Sequence, residues 1–573
     1  MTLRPLIAAS AAMLLAGCAT PDVPSSSSAE RALLAPGGAV SAADPRAAEA
    51  GAQMLRQGGS ATDAAIAVML ALTVVEPQSS GIGGGGFYLH AAPDGTVTTL
   101  DGRETAPAEA GADWFIGEDG EPLGFMEAVI GGRSVGVPGS VALAARAHER
   151  YGRLDWEDLF QPAIRLARDG WELSERGAEF ADRFRNRAAH QESGQSLFYD
   201  AQGNTLPVGT RITNAELADT LERIATGGPQ AFYNDLAQPL AAEVAANTPG
   251  AAQMRAGDLL DYEAVWRAPV CGEYREYRIC GMGPPSSGAT TVLAILGQLE
   301  RFDMAALGPD SPIAWHLFAE SQRLAYADRE IYLADSDFVS VPVSNLIDPA
   351  YLTRRGALIS EDRRMDTVEA GRFDTAACAP CLADGDEPAE NGTSHFAVVD
   401  GAGNVVSYTS TIEGPFGSGL MFGGFYLNNE LTDFSFSPER DGLPVANRVE
   451  GGKRPRSSMA PTIVYDPGGD LVLAIGAAGG STIPVQVAKA LIAWIDWDMS
   501  AQEAIAAPIV FSPGDTMTLE EESALLAMRA QFEALGHQVS TRALPLKANA
   551  VERRDGAWVG AADPRSEGAV ITP

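Results

Sequence analysis

Apolar and polar positions along this chain follow two periods, and the switches between them mark the elements. Asp44-Pro45 opens a helical pattern, with an aspartate suited to cap the first turn and a proline at the first helical position; Gly58-Gly59 closes it. A second helical run, almost wholly alanine and aliphatic, extends from about residue 63 to 75. The period then changes to two. Residues 87–91 and 96–101 alternate on either side of Asp94-Gly95, which predicts a β-hairpin. Between about 140 and 360 helical spacing dominates, and residues 316–333 (HLFAESQRLAYADREIYL) are the clearest amphipathic case. Alternation returns at 393–399 and 405–411, across a loop at 400–404, and again at 461–465 and 471–476, across a turn at 467–470. Helices are expected over about 484–497 and 520–535. Hairpins set between helical segments predict a layered α/β (α+β) sandwich, and no internal repeat is visible.

Two stretches break the pattern. Gly81-Ile82-Gly83-Gly84-Gly85-Gly86 formally matches GxGxxG, but a helix precedes it and a strand follows. A dinucleotide fingerprint requires the reverse order, so these glycines read as a tight helix-to-strand crossing where backbones approach closely. Residues 368–392 (VEAGRFDTAACAPCLADGDEPAENG) carry almost no aliphatic pattern and read as an exposed loop.

The N-terminus reads as an export signal. Arg4 precedes an apolar stretch, 6–16, too short to span a bilayer, and it ends in Leu15-Ala16-Gly17-Cys18. That tetrapeptide resembles the lipobox of bacterial lipoproteins, which implies a signal peptide over 1–17, lipidation of Cys18 and a periplasmic or cell-envelope protein anchored to the outer membrane. A plain signal peptide with an incidental cysteine is the alternative. Residues 18–38, with the low-complexity run 21–28, read as a flexible tether.

Export permits disulfides. Cys271 and Cys280 bracket a hairpin-like alternation and are candidates for a bridge across it. Cys378-Ala-Pro-Cys381 lies in the acidic loop rather than at a helix start, which disfavours thioredoxin-like chemistry. His90, His148, His190, His316, His395 and His537 form no metal-ligand spacing, so no metal is expected. With 75 acids against 41 bases the formal charge is −34, which argues against nucleic acid as a partner and requires a local cation for any anionic substrate.

Candidate chemistry centres on Thr393. A threonine hydroxyl is a weak nucleophile unless a base stands beside it, and a threonine at a chain terminus carries one in its own α-amine. An α-amine with a pKa of about 7.7–8.0 is partly neutral near pH 7. Such a design needs a loop that can be cut and a strand that holds the new terminus; 368–392 followed by Thr393 has that form.

Gly392-Thr393-Ser394-His395-Phe396-Ala397-Val398-Val399-Asp400 resembles the signature at the start of the small subunit of γ-glutamyltransferases. The resemblance runs from about Ala39 to Ser566. It takes in GIGGGGF (81–87), LDGRETAP (100–107), GVPGS (136–140), PPSSG (284–288), LNNELTDFS (427–435), KRPRSSM (453–459), GAAGGS (476–481) and ADPRS (562–566). It implies an N-terminal-nucleophile αββα sandwich built from both processed subunits, a large one over 39–392 and a small catalytic one over 393–573. The implied reaction is cleavage of γ-glutamyl amides such as glutathione, through an ester on Thr393, with water or an amino acid as acceptor and no cofactor.

Residue by residue, the resemblance makes Thr393 the nucleophile and Thr411 the second threonine that contacts it. Gly479 and Gly480 become the oxyanion hole. Arg103, Ser457 and Ser458 hold the substrate α-carboxylate, and Glu430 and Asp433 its α-ammonium. Glu413 stands where many members have asparagine; a carboxylate there is compatible with a further substrate-binding ligand for the ammonium, and it loosens the expectation of strict glutamyl selectivity. Taken singly, Arg103 also reads as a surface ion pair, Ser457-Ser458 as a turn and Asp433 as a helix cap. Asn391-Gly392-Thr393 also spells a glycosylation sequon. His395 reads as a packed or hydrogen-bonded group rather than a base.

The segment 435–452 looks shorter than the family's lid loop and lacks the tyrosine that closes over substrate in several members. That opens a reading as a glutaryl-cephalosporin or poly-γ-glutamate acylase on the same fold. A non-catalytic envelope lipoprotein is the alternative of another class.

Overall fold

The computed structural model describes residues 37–250, 252–373 and 392–573. Cys18, its lipobox, the run 21–28 and Cys378-Cys381 lie outside the described residues.

Two antiparallel sheets stack face to face between helices. The first runs Ala569–Ile571, Gly38–Ala42, Ser394–Asp400, Val405–Thr411, Gly85–Ala91, Val97–Gly102 and Val265–Arg267, in spatial order. The second runs Ala557–Ala562, Lys547–Arg554, Leu471–Ala478, Thr462–Tyr465, Tyr277–Gly281 and Val270–Tyr274. Each sheet mixes strands from before residue 373 with strands from after 392, so neither half of the chain completes a sheet alone.

The alternation of the Ser394–Asp400 strand explains the layering. Phe396 and Val398 join the core made with the helices Pro45–Arg56 and Ala61–Val75. Ala397 and Val399 face the other way, into the core shared with the second sheet and the helices Gly288–Leu299 and Ile483–Ile495. A strand buried on both faces must be apolar on both faces, and all seven of its residues are buried.

Local chemistry sets the boundaries. The second helix begins at Ala61, a little before the sequence pattern suggests, because Ser60 and Asp63 form a reciprocal capping box and Asp63 also accepts the N–H groups of Arg153 and Leu154. Gly84 marks the crossing into the next strand: a Cβ there would lie 1.9 Å from the Thr411 carbonyl oxygen. Cys271 and Cys280 sit opposite each other in register and are disulfide-bonded.

The expected helix over 520–535 is corrected. Glu520 instead ends the strand Thr516–Glu520, a 3₁₀ turn spans Ala524–Met528, and only Arg529–Ala534 is α-helical. Pairing of Thr516–Glu520 with Gln538–Arg542 wins over the helical spacing of the intervening apolar residues.

Phe396 is wholly buried, its ring 4.9 Å from that of Tyr408. Phe396→Ala leaves a cavity beneath the strand and is expected to cost about 3–5 kcal/mol, measured by chemical denaturation.

Candidate active site

Thr393 immediately precedes the buried Ser394–Asp400 strand, and three elements fix it there. Its N–H donates to the Ser79 carbonyl at 3.0 Å, and the Ile412 N–H reaches the same oxygen at 3.3 Å. Its Oγ1 lies 3.0 Å from Thr411 Oγ1, and that hydroxyl accepts the Glu413 N–H at 2.8 Å. Thr393 adopts φ +94°, a left-handed conformation that its branched Cβ resists, at a cost of order 1–3 kcal/mol. Only glycine fits before it, since a Cβ on Gly392 would stand 1.8 Å from the Glu413 carbonyl oxygen. The linkage between Gly392 and Thr393 is therefore both crowded and strained.

A buried ion pair lies behind the threonine. Lys547 Nζ donates to Glu76 Oε2 at 2.6 Å, to Ser394 Oγ at 3.2 Å and to the Thr393 carbonyl at 3.4 Å. The Ser394 hydroxyl also donates to Glu76 Oε2, at 2.7 Å. His395 points to the opposite sheet, where its ring fills the space a Cβ on Gly476 would need. Its Nδ1 shares a hydrogen bond with Thr409 Oγ1 at 2.8 Å, and burial pushes its pKa down to about 3. It is a neutral packed group, as its sequence setting suggests.

Beyond Thr411 lies a cluster of buried charge. The Arg103 guanidinium pairs with both Glu430 and Asp433 and donates to the Pro455 and Arg456 carbonyls at 3.1 and 2.9 Å. All three charged side chains are buried. The sequence reading gave Arg103 to a substrate carboxylate and the acids to an ammonium; in the structure the guanidinium and the two acids pair with one another. Glu413, also at positive φ, accepts from Asn429 Nδ2, while its Oε1 has no hydrogen-bond partner among the described residues. Burial first, then the Asp433 charge, pushes Glu413 up to about 8; Arg187 and Arg103 oppose the rise. Glu104, next to Arg103, is likewise pushed up to about 8 by burial.

Ser457 and Ser458 lie beside this cluster on the segment that carries the Arg456 carbonyl. Ser458 Oγ accepts from Arg329 at 2.7 Å, and the Ser457 carbonyl accepts from the N–H and the hydroxyl of Ser287. The Ser458 hydroxyl is thus held by the long helix Pro312–Tyr332 and the Ser457 carbonyl by PPSSG, partners no local pattern announces. The segment after Asp433 folds back as a short hairpin, Glu439–Arg440 with Leu443–Pro444, and Asn447 ties it to the Asp433 carbonyl at 2.6 Å.

Gly479 and Gly480 follow the strand Leu471–Ala478 with φ +124° and +58°. A Cβ on Gly479 would meet the Pro545 carbonyl at 2.1 Å, so the position admits only glycine. Neither N–H donates to a protein group among the described residues, which leaves both available to an oxyanion. Ala478 pairs with Lys547, so the glycines adjoin the residue that touches Thr393. Sequence reasoning missed Ser79, Glu76, Lys547 and Arg187. Only Lys547 left a trace, as a lone cation opening a strand that starts KANAV.

Known proteins resemble this chain over most of its length. The chain is 35% identical over 554 residues to the glutathione hydrolase proenzyme of Escherichia coli (strain K12), covering 92% of this chain and 90% of that one. It is 36% identical over 543 residues to the acylase ACY 1 proenzyme of Pseudomonas sp. (strain V22), covering 92% of each. The crystal structure of a cephalosporin acylase from Bacillus halodurans superposes with a TM-score of 0.81 at 26% identity, covering 93% of this chain and 95% of that one. The sequence profile of the gamma-glutamyltranspeptidase family matches residues 47–572, and the chain belongs to that family.

Proposed function

We propose that this protein is an exported proenzyme that cleaves itself between Gly392 and Thr393, and that the freed threonine then hydrolyses or transfers γ-glutamyl groups from amides such as glutathione. The observation that carries this reading is the contact chain from nucleophile to anchor. Thr393 touches Thr411, Thr411 is bonded to the Glu413 backbone, Glu413 feels the Asp433 charge, and Asp433 pairs with Arg103.

An amino-acid zwitterion complements that last pair. Its α-carboxylate takes the guanidinium of Arg103, with Ser457 and Ser458 beside it, and its α-ammonium takes Glu430 and Asp433. Each protein charge exchanges one buried partner for another, so binding strands none of them. The γ-carbonyl then faces Thr393. Thr393 Oγ attacks the carbonyl carbon and its proton passes to the threonine α-amine. Gly479 and Gly480 hold the oxyanion, an arrangement whose single donors are typically worth about 10²–10³ in rate. The amide C–N bond breaks, the α-amine returns the proton to the leaving amine, and an ester remains on Thr393. Water or an acceptor amine, deprotonated by the same α-amine, releases the glutamyl group.

The same hydroxyl serves self-cleavage: strain at Thr393 and crowding at Gly392 favour its attack on the Gly392 carbonyl, the Gly392–Thr393 C–N bond breaks to leave an ester on Thr393 Oγ and a free α-amine, and water hydrolyses that ester. The products are a large chain ending at Gly392 and a small one, 393–573. Export and a lipid anchor at Cys18 complete the proposal, on the strength of the N-terminal sequence alone.

The acylase relatives favour a second reading, a glutaryl-type substrate without an α-ammonium. Three buried acids, Glu413, Glu430 and Asp433, weigh against it, because a glutaryl group brings no positive charge to them.

Purified wild type is expected to give two chains by intact mass, the smaller beginning at Thr393, whereas Thr393→Ala remains one uncut, inactive chain; a single folded wild-type chain without activity overturns the proposal. Arg103→Ala is expected to raise KM for a chromogenic γ-glutamyl anilide at least tenfold, and an unchanged KM removes its assignment. For Glu413, a carboxyl pKa raised on folding means the unfolded chain ionises first. Its contribution to stability is therefore complete below about pH 4.5 and is lost as pH rises through about 8. Glu413→Gln should accordingly gain in melting temperature over wild type between pH 5 and 8, with no gain at pH 4.

A further inference from the structure

The ion pair behind Thr393 has no part in the acyl-transfer scheme above, and its placement calls for one. Lys547 and Glu76 are both almost fully buried, and they come from different layers. Glu76 ends the helix Ala61–Val75, and Lys547 opens the strand paired with the residue before Gly479. Between them lies the strand Ser394–Asp400, and its first residue, Ser394, and the preceding Thr393 both contact the Lys547 ammonium. A buried pair of this kind is a poor source of net stability, because desolvating two charges offsets most of their attraction. Its position therefore matters more than its strength.

We propose that Lys547, paired with Glu76, is a positioning residue for the nucleophile: its ammonium holds the Thr393 carbonyl and offsets the Glu76 carboxylate near the α-amine that cleavage frees. This rests on the reading of Thr393 as the nucleophile. The carbonyl oxygen lies 3.4 Å from Nζ, and standard bond lengths then put the Thr393 nitrogen within about 8 Å of it. At that range, away from water, one charge moves a neighbouring amine by about one pKa unit. The sign favours catalysis, since an unopposed Glu76 carboxylate would favour protonation of the amine, and Lys547 cancels it and keeps the lone pair available as base.

Other charges facing the site are identifiable. Glu76 and Asp44 stabilise the Lys547 ammonium, whereas Arg176 and burial itself act against it, and the balance lies below an ordinary lysine. Glu413 is bonded through its backbone to Thr411, but its carboxylate turns away to Asn429. Lys547 is the cation in direct contact with Thr393, and Glu76 reaches that residue only through Lys547 and Ser394.

The test compares wild type, Lys547→Arg, Lys547→Met and the double variant Lys547→Met/Glu76→Gln, each checked for cleavage by intact mass and assayed with a γ-glutamyl anilide across pH. In Lys547→Met the acidic limb of kcat/KM is expected to move up by about one unit, because Glu76 then acts unopposed, with kcat reduced at least tenfold and KM little changed. In the double variant the limb should return toward wild type, and Lys547→Arg should retain it. An identical limb in all processed variants, or a loss confined to KM, overturns the proposal. Should Lys547→Met remain uncut, cleavage restored in the double variant or in Lys547→Arg supports the charge role. Uncut chains in all three variants assign Lys547 to packing and overturn it. Wild type that neither cleaves nor hydrolyses the anilide defeats the nucleophile reading itself, whereas active wild type with an unmoved limb defeats only the role of Lys547.

Discussion

Thr393 is held at φ +94° by contacts that its own side chain opposes, and the architecture can be understood as what enforces that conformation. A β-branched residue does not settle there unless its neighbours leave no alternative. The Ser79 carbonyl fixes its nitrogen, Lys547 its carbonyl and Thr411 its hydroxyl, while the strand that follows is packed on both faces. Each contact comes from a different element, so the nucleophile's geometry is a property of the whole sandwich. Interleaving of early and late strands in both sheets has the same consequence: a cut near residue 392 leaves two chains that still share every layer.

The second organising feature is charge held out of water. Arg103, Glu430, Asp433 and Glu413 occupy one buried cluster with more acid than base. Burial relieves part of the excess by favouring the protonated form of Glu413, and Arg187 opposes the remainder. Such a cluster is costly to fold around and has little value as scaffolding. It suits the proposed zwitterionic ligand, which would replace the internal pairs without exposing any of them. The −34 net charge of the chain does not enter this balance, since its exposed acids are screened by solvent while these are not.

Much of this was legible along the chain. Asp44-Pro45, the alternation at 393–399 and 405–411 and the glycine run at 81–86 gave elements within a few residues of those found, because caps, period and close approach are local properties. The failure at 520–535 is instructive: its apolar spacing suits a helix, yet pairing with Gln538–Arg542 decides, and pairing is not local. Ordered motifs fixed the family and supplied the candidate residues. They could not say that Arg103 would be spent on Glu430 and Asp433.

The sequence by itself determined the layered class, the family, and the placing of Thr393 at a loop-to-strand boundary. These follow from periodicity, composition and short motifs, all carried by neighbouring residues. Only the tertiary structure decided that Ser79, just past the second helix, and Lys547, on the second sheet, converge on Thr393, that Glu76 pairs with Lys547 behind it, and that Ser458 is held by Arg329. Glu76 and Lys547 lie 471 positions apart. Their meeting depends on how two sheets stack, and no local signal encodes that.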